Sequence, residues 1–169
     1  MDIKKLADVK DRFADYEKIF NSGDYDKAAD ILSAILERIE ECTDERKAGT
    51  MDDTFVKKSD MDGRPIYISL NHVMEYYVYA CYFEPETDVL CTELPVGEYY
   101  RTYGSLCLKI SKFRRAEDAF KKAICWNPVD LDSYLGLAEC YKNLNMLSRY
   151  LDVTTVSYTH LTLPTTSRV

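Results

Sequence analysis

The feature that most constrains this fold is an internal offset of 34 residues. When the sequence is aligned with itself at an offset of 34 positions, residues 97–110 align with residues 131–144, and several aligned positions hold similar residues. The aligned pairs are Tyr100 with Tyr134, Tyr103 with Leu137, Gly104 with Ala138, and Cys107 with Tyr141. Within each segment these residues recur every three or four positions, as along one face of a helix. A period of this length that contains two helices predicts an all-α array of antiparallel helix pairs.

One full period matches a known motif. Its matching residues are Tyr100, Tyr103, Gly104, Cys107, Ala116, Phe120, Ala123 and Pro128. This pattern resembles the tetratricopeptide repeat (TPR) family, from which Tyr103 and Cys107 depart. Small residues such as Gly104 and Ala116 let two helices approach closely, and Pro128 ends the second helix. The resemblance covers residues 10–42 and 97–150 and implies a TPR-like α-solenoid fragment; a generic helical hairpin bundle is the alternative.

The chain divides into five parts. Residues 1–42 are expected to form a TPR-like helical hairpin that turns at Gly23, although Tyr16 stands where the family has a small residue. Residues 43–64 lack apolar periodicity and predict an exposed loop, either a tolerated insertion or a binding element. Residues 65–96 predict a Tyr-rich helix over 66–83 followed by a connection. Residues 97–153 hold one repeat and a truncated second repeat, with Tyr150 at an expected Ala position.

Residues 154–169 differ from the rest because they are rich in Thr, lack acidic residues and show no helical period. They resemble translated sequencing-adapter DNA of the kind that contaminates metagenomic assemblies. We therefore expect this tail to be non-native and the natural chain to continue with further repeats. A short natural β-prone tail is the alternative.

Charge narrows the classes of partner. The 169 residues carry a net charge of −7, which disfavours binding to nucleic acid or to an anionic membrane. One basic cluster is interleaved with acidic residues and predicts a solvated face rather than a nucleic-acid site: Lys109, Lys112, Arg114, Arg115, Lys121 and Lys122. No secretory signal or membrane-spanning stretch is evident, so we expect a cytoplasmic protein.

The sequence contains no recognisable catalytic, cofactor-binding or metal-binding constellation. The six cysteines (Cys42, Cys81, Cys91, Cys107, Cys125 and Cys140) include no Cys-x-x-Cys pair, so we interpret them as reduced and mostly buried. His72 is expected to pack among apolar neighbours on the Tyr-rich helix, and His160 lies in the suspect tail. No phosphate-binding glycine loop or zinc-protease motif is present. The sequence therefore predicts no cofactor and no enzyme activity.

The TPR resemblance implies a protein-interaction scaffold whose first helices line a concave groove for a partner protein or peptide. The matching positions are Arg101, Ser105, Leu108, Lys109, Leu135, Glu139, Lys142 and Asn143. The chaperone-tail clamp of the family is not matched, since its Lys and Asn positions hold other residues. If Arg101, Lys109 and Lys142 face the groove, their charge favours an acidic partner segment, partly offset by Glu139.

Two other classes of function remain open. One is a self-associating subunit, a homo-oligomer that uses the Tyr-rich helix as its interface, since tyrosine suits contact surfaces. The other is an enzyme with a pocket not visible in sequence, which requires a buried, perturbed carboxylate or histidine in a cleft.

Overall fold

The computed structural model describes residues 7–42, 66–83, 85 and 88–161, which contain seven helices and two short strands. The helices are α1 (Ala7–Asn21), α2 (Tyr25–Cys42), α3 (Val73–Phe83), α4 (Val96–Lys109), α5 (Phe113–Trp126), α6 (Leu131–Asn143) and α7 (Leu147–Leu161). The strands are β1 (Ile66–Ile68) and β2 (Val89–Cys91).

The prediction of an all-α fold is confirmed, since helices make up most of the described chain. The predicted loop over 43–64 lies outside the described residues. None of the helices in the described ranges is both long and apolar enough to cross a membrane.

Helices α1 and α2 form a hairpin that turns at Gly23, whose φ of +86° favours glycine. The apolar face of α2 is buried between α1 and α4 and consists of Ala28, Leu32, Ile35, Leu36 and Ile39. On α1 the Tyr16 ring is buried and packs against Phe13 at 5.1 Å between ring centroids. Phe13 in turn stacks on Tyr99 of α4 at 4.6 Å, so aromatic contacts join the hairpin to α4.

The α4–α5 and α6–α7 turns share one backbone conformation at positions related by the 34-residue offset. Ser111 (φ 59°) and Asn145 (φ 56°) both adopt the left-handed region that closes a helix. The equivalent bonds run from Lys112 N to Cys107 O and from Met146 N to Tyr141 O, each 2.8 Å long. Turns this short place consecutive helices side by side and antiparallel, and α4 also contacts α6.

The Phe120 ring of α5 packs directly on the backbones of α4 and α6. A methyl group at Gly104 of α4 would lie 3.0 Å from that ring, and one at Gly136 of α6 would overlap it. Phe120 is buried in the core that α4, α5, α6 and α7 share. The missing side chains at Gly104 and Gly136 therefore allow the three helices to pack closely.

The structure corrects the predicted helix over 66–83. Residues 66–68 form β1, which pairs in parallel with β2 in the register Ile66 to Val89. Helix α3 begins only at Val73, because the Glu75 carboxylate accepts the backbone N–H groups of Asn71 (2.6 Å) and His72 (3.4 Å) and so caps its first turn. His72 is consequently exposed ahead of α3 instead of packed among apolar residues. The connection predicted to follow this helix likewise contains a strand, β2.

The structure also places a helix where the sequence showed no helical period. Helix α7 continues from Leu147 through the 153/154 boundary to Leu161. Val153 and Ser157 are buried, and Tyr150 and Val156 pack against the same core, so apolar contacts recur at helical spacing. Helix α7 thus includes residues 154–161 although their sequence shows no clear helical period, because small and Thr-rich positions conceal the spacing. That the tail is non-native stays a prediction.

The cysteines are less uniformly buried than predicted. Cys107 and Cys140 lie in the core, Cys125 is half-buried, and Cys81 and Cys91 are exposed on α3 and β2. No group of metal-binding side chains occurs among the described residues.

The Phe120 packing yields a stability prediction. Substituting Gly136→Ala forces the ring to move, and we expect a loss of about 1–3 kcal/mol of unfolding free energy, as for an overpacked core. In a Phe120→Leu background the same substitution should cost clearly less, because the obstructing ring is gone. Urea unfolding of the two single variants and the double variant measures this coupling. Equal costs of Gly136→Ala in both backgrounds would contradict the packing argument.

Candidate partner-binding groove along α4

One face of α4 lines an open groove. The residues on this face recur every three or four positions: Glu98, Arg101, Thr102, Ser105, Leu106 and Lys109. The groove comprises two clefts, which we call the acidic cleft, of about 480 Å³, and the aromatic cleft, of about 380 Å³. Arg101 and Asp132 line both clefts, so the clefts meet at this pair and together form the α4 groove.

The aromatic cleft lies between α1 and α4. Its apolar lining consists of the half-buried Phe20 and the buried Tyr16 of α1 with the buried Leu106 of α4, and Ser105 is exposed at its wall. Lys109 ends this cleft with its ammonium group 3.8 Å from the centre of the Tyr25 ring. This cation–π contact orients the Lys109 charge toward α2.

The acidic cleft lies where the β1–α3 turn, the start of α4 and the α5–α6 turn come together. In the part of the chain that the structure describes, four carboxylates line it against one guanidinium: Glu75, Glu98, Asp130 and Asp132 against Arg101. His72 lies at the same cleft. Its surface is therefore predominantly negative.

Arg101 is the centre of an ion-pair network. Its Nη1 atom lies 3.2 Å from Asp130 Oδ1 and 3.0 Å from Asp132 Oδ2, and its Nη2 atom lies 4.0 Å from Glu98. The Arg101 side chain is only 24% exposed. Arg101 lines the groove as expected, but its charge is largely engaged within the protein, because Asp130 and Asp132 at the start of α6 supply two carboxylates to it.

Asp130 is the buried member of this network. It directly precedes α6, its side chain is 7% exposed, and its Oδ2 atom accepts the Ser133 hydroxyl at 2.6 Å. Burial raises the pKa of Asp130 and outweighs the Ser133 hydrogen bond and the Arg101 charge, which lower it. Asp132 and Glu75 raise it further by repulsion.

Glu75 lines the α3 side of the cleft, and its carboxylate accepts hydrogen bonds from uncharged donors. Besides the two backbone N–H groups at the start of α3, it accepts the Asn127 amide at 3.0 Å. These bonds hold α3 to the α5–α6 turn. Within the described residues no cation is paired with Glu75.

The structure brings together three of the eight predicted groove residues: Arg101, Ser105 and Lys109. Leu108 is instead half-buried against the core below α4. The four predicted residues of α6, which are Leu135, Glu139, Lys142 and Asn143, are exposed but line neither cleft. Glu139 there accepts hydrogen bonds from Lys142 and Asn143, so its charge is locally compensated.

The sequence analysis missed the acidic half of the groove. Asp130 and Asp132 surround the first position of α6, where acidic residues commonly stabilise a helix start, so a signal for their placement was present. Their proximity to Arg101, however, depends on how α6 packs beside α4.

The basic cluster is largely engaged within the protein. Lys112 pairs with Asp26 at 2.7 Å, and Lys122 pairs with Glu40 of α2. Glu40 also accepts the hydroxyl of the buried Tyr100 at 2.6 Å. These contacts bind α2 to α4 and α5.

A second buried carboxylate contrasts with Asp130. Glu117 of α5 is 4% exposed and lies 2.7 Å from Lys121, 3.1 Å from Arg114 and 3.5 Å from Arg149 of α7. Burial by itself raises the pKa of Glu117, but the Lys121 and Arg114 contacts outweigh it, so the pKa is lowered.

No protein-family model, curated protein or solved structure matches this chain. The fold and the groove define its class as an all-α protein with an acidic and aromatic groove along one helix.

Asp130 and Glu117 should influence stability in opposite directions as pH changes. Because the folded pKa of Asp130 is raised, the folded state retains its proton more tightly, and stability falls as pH rises from the ordinary aspartate pKa through the raised one. Because the folded pKa of Glu117 is lowered, its stabilisation is present above the ordinary glutamate pKa and is lost as pH falls through the lowered one.

Urea unfolding at several pH values tests this pair. Asp130→Asn should gain stability relative to the wild type as pH rises, whereas Glu117→Gln should lose stability relative to it. Parallel pH profiles for both variants would contradict the assignment.

Proposed function

We propose that this protein is a non-enzymatic, TPR-like interaction module that holds a segment of a partner protein in the α4 groove. The observation that carries the proposal is the groove itself, an open surface along α4 bounded by α1 on one side and the start of α6 on the other. Open grooves between rigid helices suit extended or helical peptide segments.

The helical arrangement supports kinship with repeat proteins. The equivalent turns at Ser111 and Asn145 lie 34 residues apart, and Phe120 occupies a motif position while packing on the motif residue Gly104. In such arrays each helix pair contacts its neighbours, and the first helices of successive pairs form the binding surface. On this proposal, helices α1, α4 and α6 are the first helices of successive pairs.

Charge favours a protein partner over a nucleic acid. Nucleic-acid binding depends on cations that are available to phosphate. Here Lys112 and Lys122 are paired with carboxylates, and the groove itself carries more carboxylates than cations.

A selection experiment with a blocked groove tests this function. Wild-type protein is used to select from a phage-displayed library of random nonapeptides, and the enriched peptides are then synthesised for affinity measurement. Substituting Ser105→Trp fills the aromatic cleft from its exposed wall, and we expect at least a tenfold loss of affinity, or about 1.4 kcal/mol.

The matched control is Ser148→Trp, which adds the same bulk at an exposed position of α7. It should bind as the wild type does, and both variants should retain the helical circular dichroism spectrum. Absence of any enriched peptide, or equal affinity of the two Trp variants, would contradict the proposal.

Asp130 has the property that an enzyme alternative requires, a buried carboxylate with a raised pKa in a cleft. Both of its oxygens are engaged, one by Arg101 and one by Ser133. We interpret Asp130 as a residue that positions Arg101 and the start of α6.

A second candidate function, self-association, is favoured by the outward face of α3. Val73 is 76% exposed, Met74 69% and Tyr77 61%, an unusually apolar set for one short helix. Such a surface suits an interface between two copies of the chain.

On this second candidate we expect a concentration-dependent dimer that Met74→Glu converts to a monomer, because a buried unpaired carboxylate is costly. Sedimentation equilibrium measures the mass. The control is Leu147→Glu, which changes an equally exposed apolar residue of α7 and should leave the dimer intact. A wild-type monomer at every concentration would exclude this candidate.

A further inference from the structure

We propose that the acidic cleft receives a Lys or Arg side chain of the partner segment, while the aromatic cleft receives an apolar side chain about three residues away. This inference rests on the proposed function, since it specifies which segment the α4 groove selects. It replaces the sequence-based expectation of an acidic partner.

The charge of the acidic cleft is the first argument. Among the described residues, Arg101 is the one guanidinium at this cleft, and four carboxylates line it. Two of them present substantial surface to solvent, Asp132 with 72% and Glu98 with 49% of the side chain exposed. These two carboxylates are accessible to a cation arriving from a partner.

Arg101 does not neutralise the cleft. One guanidinium is shared among Glu98, Asp130 and Asp132, and its distance to Glu98 is 4.0 Å, the longest of the three contacts. Glu75 adds a charge that is hydrogen-bonded to neutral donors. A second cation in the cleft would complete the pairing of Glu98 and Asp132 and gain charge-assisted hydrogen bonds.

The raised pKa of Asp130 is consistent with this excess of negative charge. Asp132 and Glu75 repel its carboxylate even though Arg101 attracts it. A bound cation would relieve this repulsion, whereas an acidic side chain would add to it.

The aromatic cleft determines which second side chain of the partner segment binds beside the cationic one. The half-buried Phe20 lines this cleft together with the buried Tyr16 and Leu106, and the Lys109 ammonium lies 5.4 Å from the centre of the Phe20 ring and 3.8 Å from that of Tyr25. An aliphatic or aromatic side chain fits this environment better than a second cation, because Lys109 would repel a like charge.

The helix geometry gives the spacing. The acidic cleft is centred near Glu98 and the aromatic cleft near Ser105, a separation of about 10 Å along α4 at the usual rise per residue. An extended peptide covers that length in about three residues. The groove therefore suits a cationic residue and an apolar residue separated by about three positions.

The selected nonapeptides provide the test. We expect the peptides enriched by the wild type to be rich in Lys or Arg with an apolar residue about three positions away, and their affinity to fall with added salt. The variant Glu98→Gln/Asp132→Asn removes both accessible charges and retains side-chain size. It should bind these peptides about tenfold more weakly, because two partly exposed ion pairs are lost.

The matched control is Asp118→Asn/Asp152→Asn, which removes two exposed charges from α5 and α7, outside the groove. It should bind as the wild type does. Enriched peptides that are neutral or acidic, or cationic peptides that bind both double variants equally, would overturn this inference. If Ser105→Trp abolishes the binding of the enriched peptides in such a case, the groove function is supported and only the preference for a cation is contradicted. No enrichment at all would overturn the groove function as well.

Discussion

The packing of the Phe120 ring on two glycine positions is the contact on which the groove depends. The ring is 1% exposed and occupies the space that side chains at Gly104 and Gly136 would take. Larger residues there would push α4 and α6 apart. Because the two helices lie close, the first turn of α6 reaches α4, and Arg101 can contact both Asp130 and Asp132. A hydrophobic contact on the core side thus sets the ionic geometry of the groove.

The β1–α3–β2 segment completes the acidic cleft from the other side. Parallel strands require a crossover connection, and α3 supplies it. Ser69, which is buried, donates its backbone N–H to Trp126 O at 2.8 Å, and its hydroxyl accepts the N–H of Gly97 at 3.2 Å. A methyl group at Gly97 would lie only 3.3 Å from Asn127, so the start of α4 also needs a small residue there. Glu75 then reaches Asn127 because this junction holds the segment against the α5–α6 turn.

How far the sequence predicts the structure depends on whether a feature is local. The 34-residue offset predicts the helices from α4 to α6 and their turns, since helical spacing and helix ends are set by neighbouring residues. The three-residue strands are too short to show alternation, and their pairing joins Ile66 to Val89 across α3. The TPR resemblance implied a groove-lining face of α4, and the structure brings Arg101, Ser105 and Lys109 together there, whereas Leu108 is half-buried against the core. The acidic cleft was not predictable, since its charges come from three separate elements.

The distribution of charge explains why the three cations expected in the groove do not make it basic: Arg101 is shared among carboxylates, Lys109 lies over the Tyr25 ring, and Lys142 lines neither cleft. Lys112 and Lys122 hold α2 in place through ion pairs with two of its carboxylates, Asp26 and Glu40. Lys109 lies over the ring of Tyr25, the first residue of α2. These cations remain near α2, while the carboxylates at the starts of α4 and α6 share one guanidinium. The basic residues nearest the groove in sequence are therefore directed away from the acidic cleft by internal contacts. A groove on a helix face takes its sign from the charges that line it after the core has packed, and among the described residues of this groove carboxylates outnumber cations.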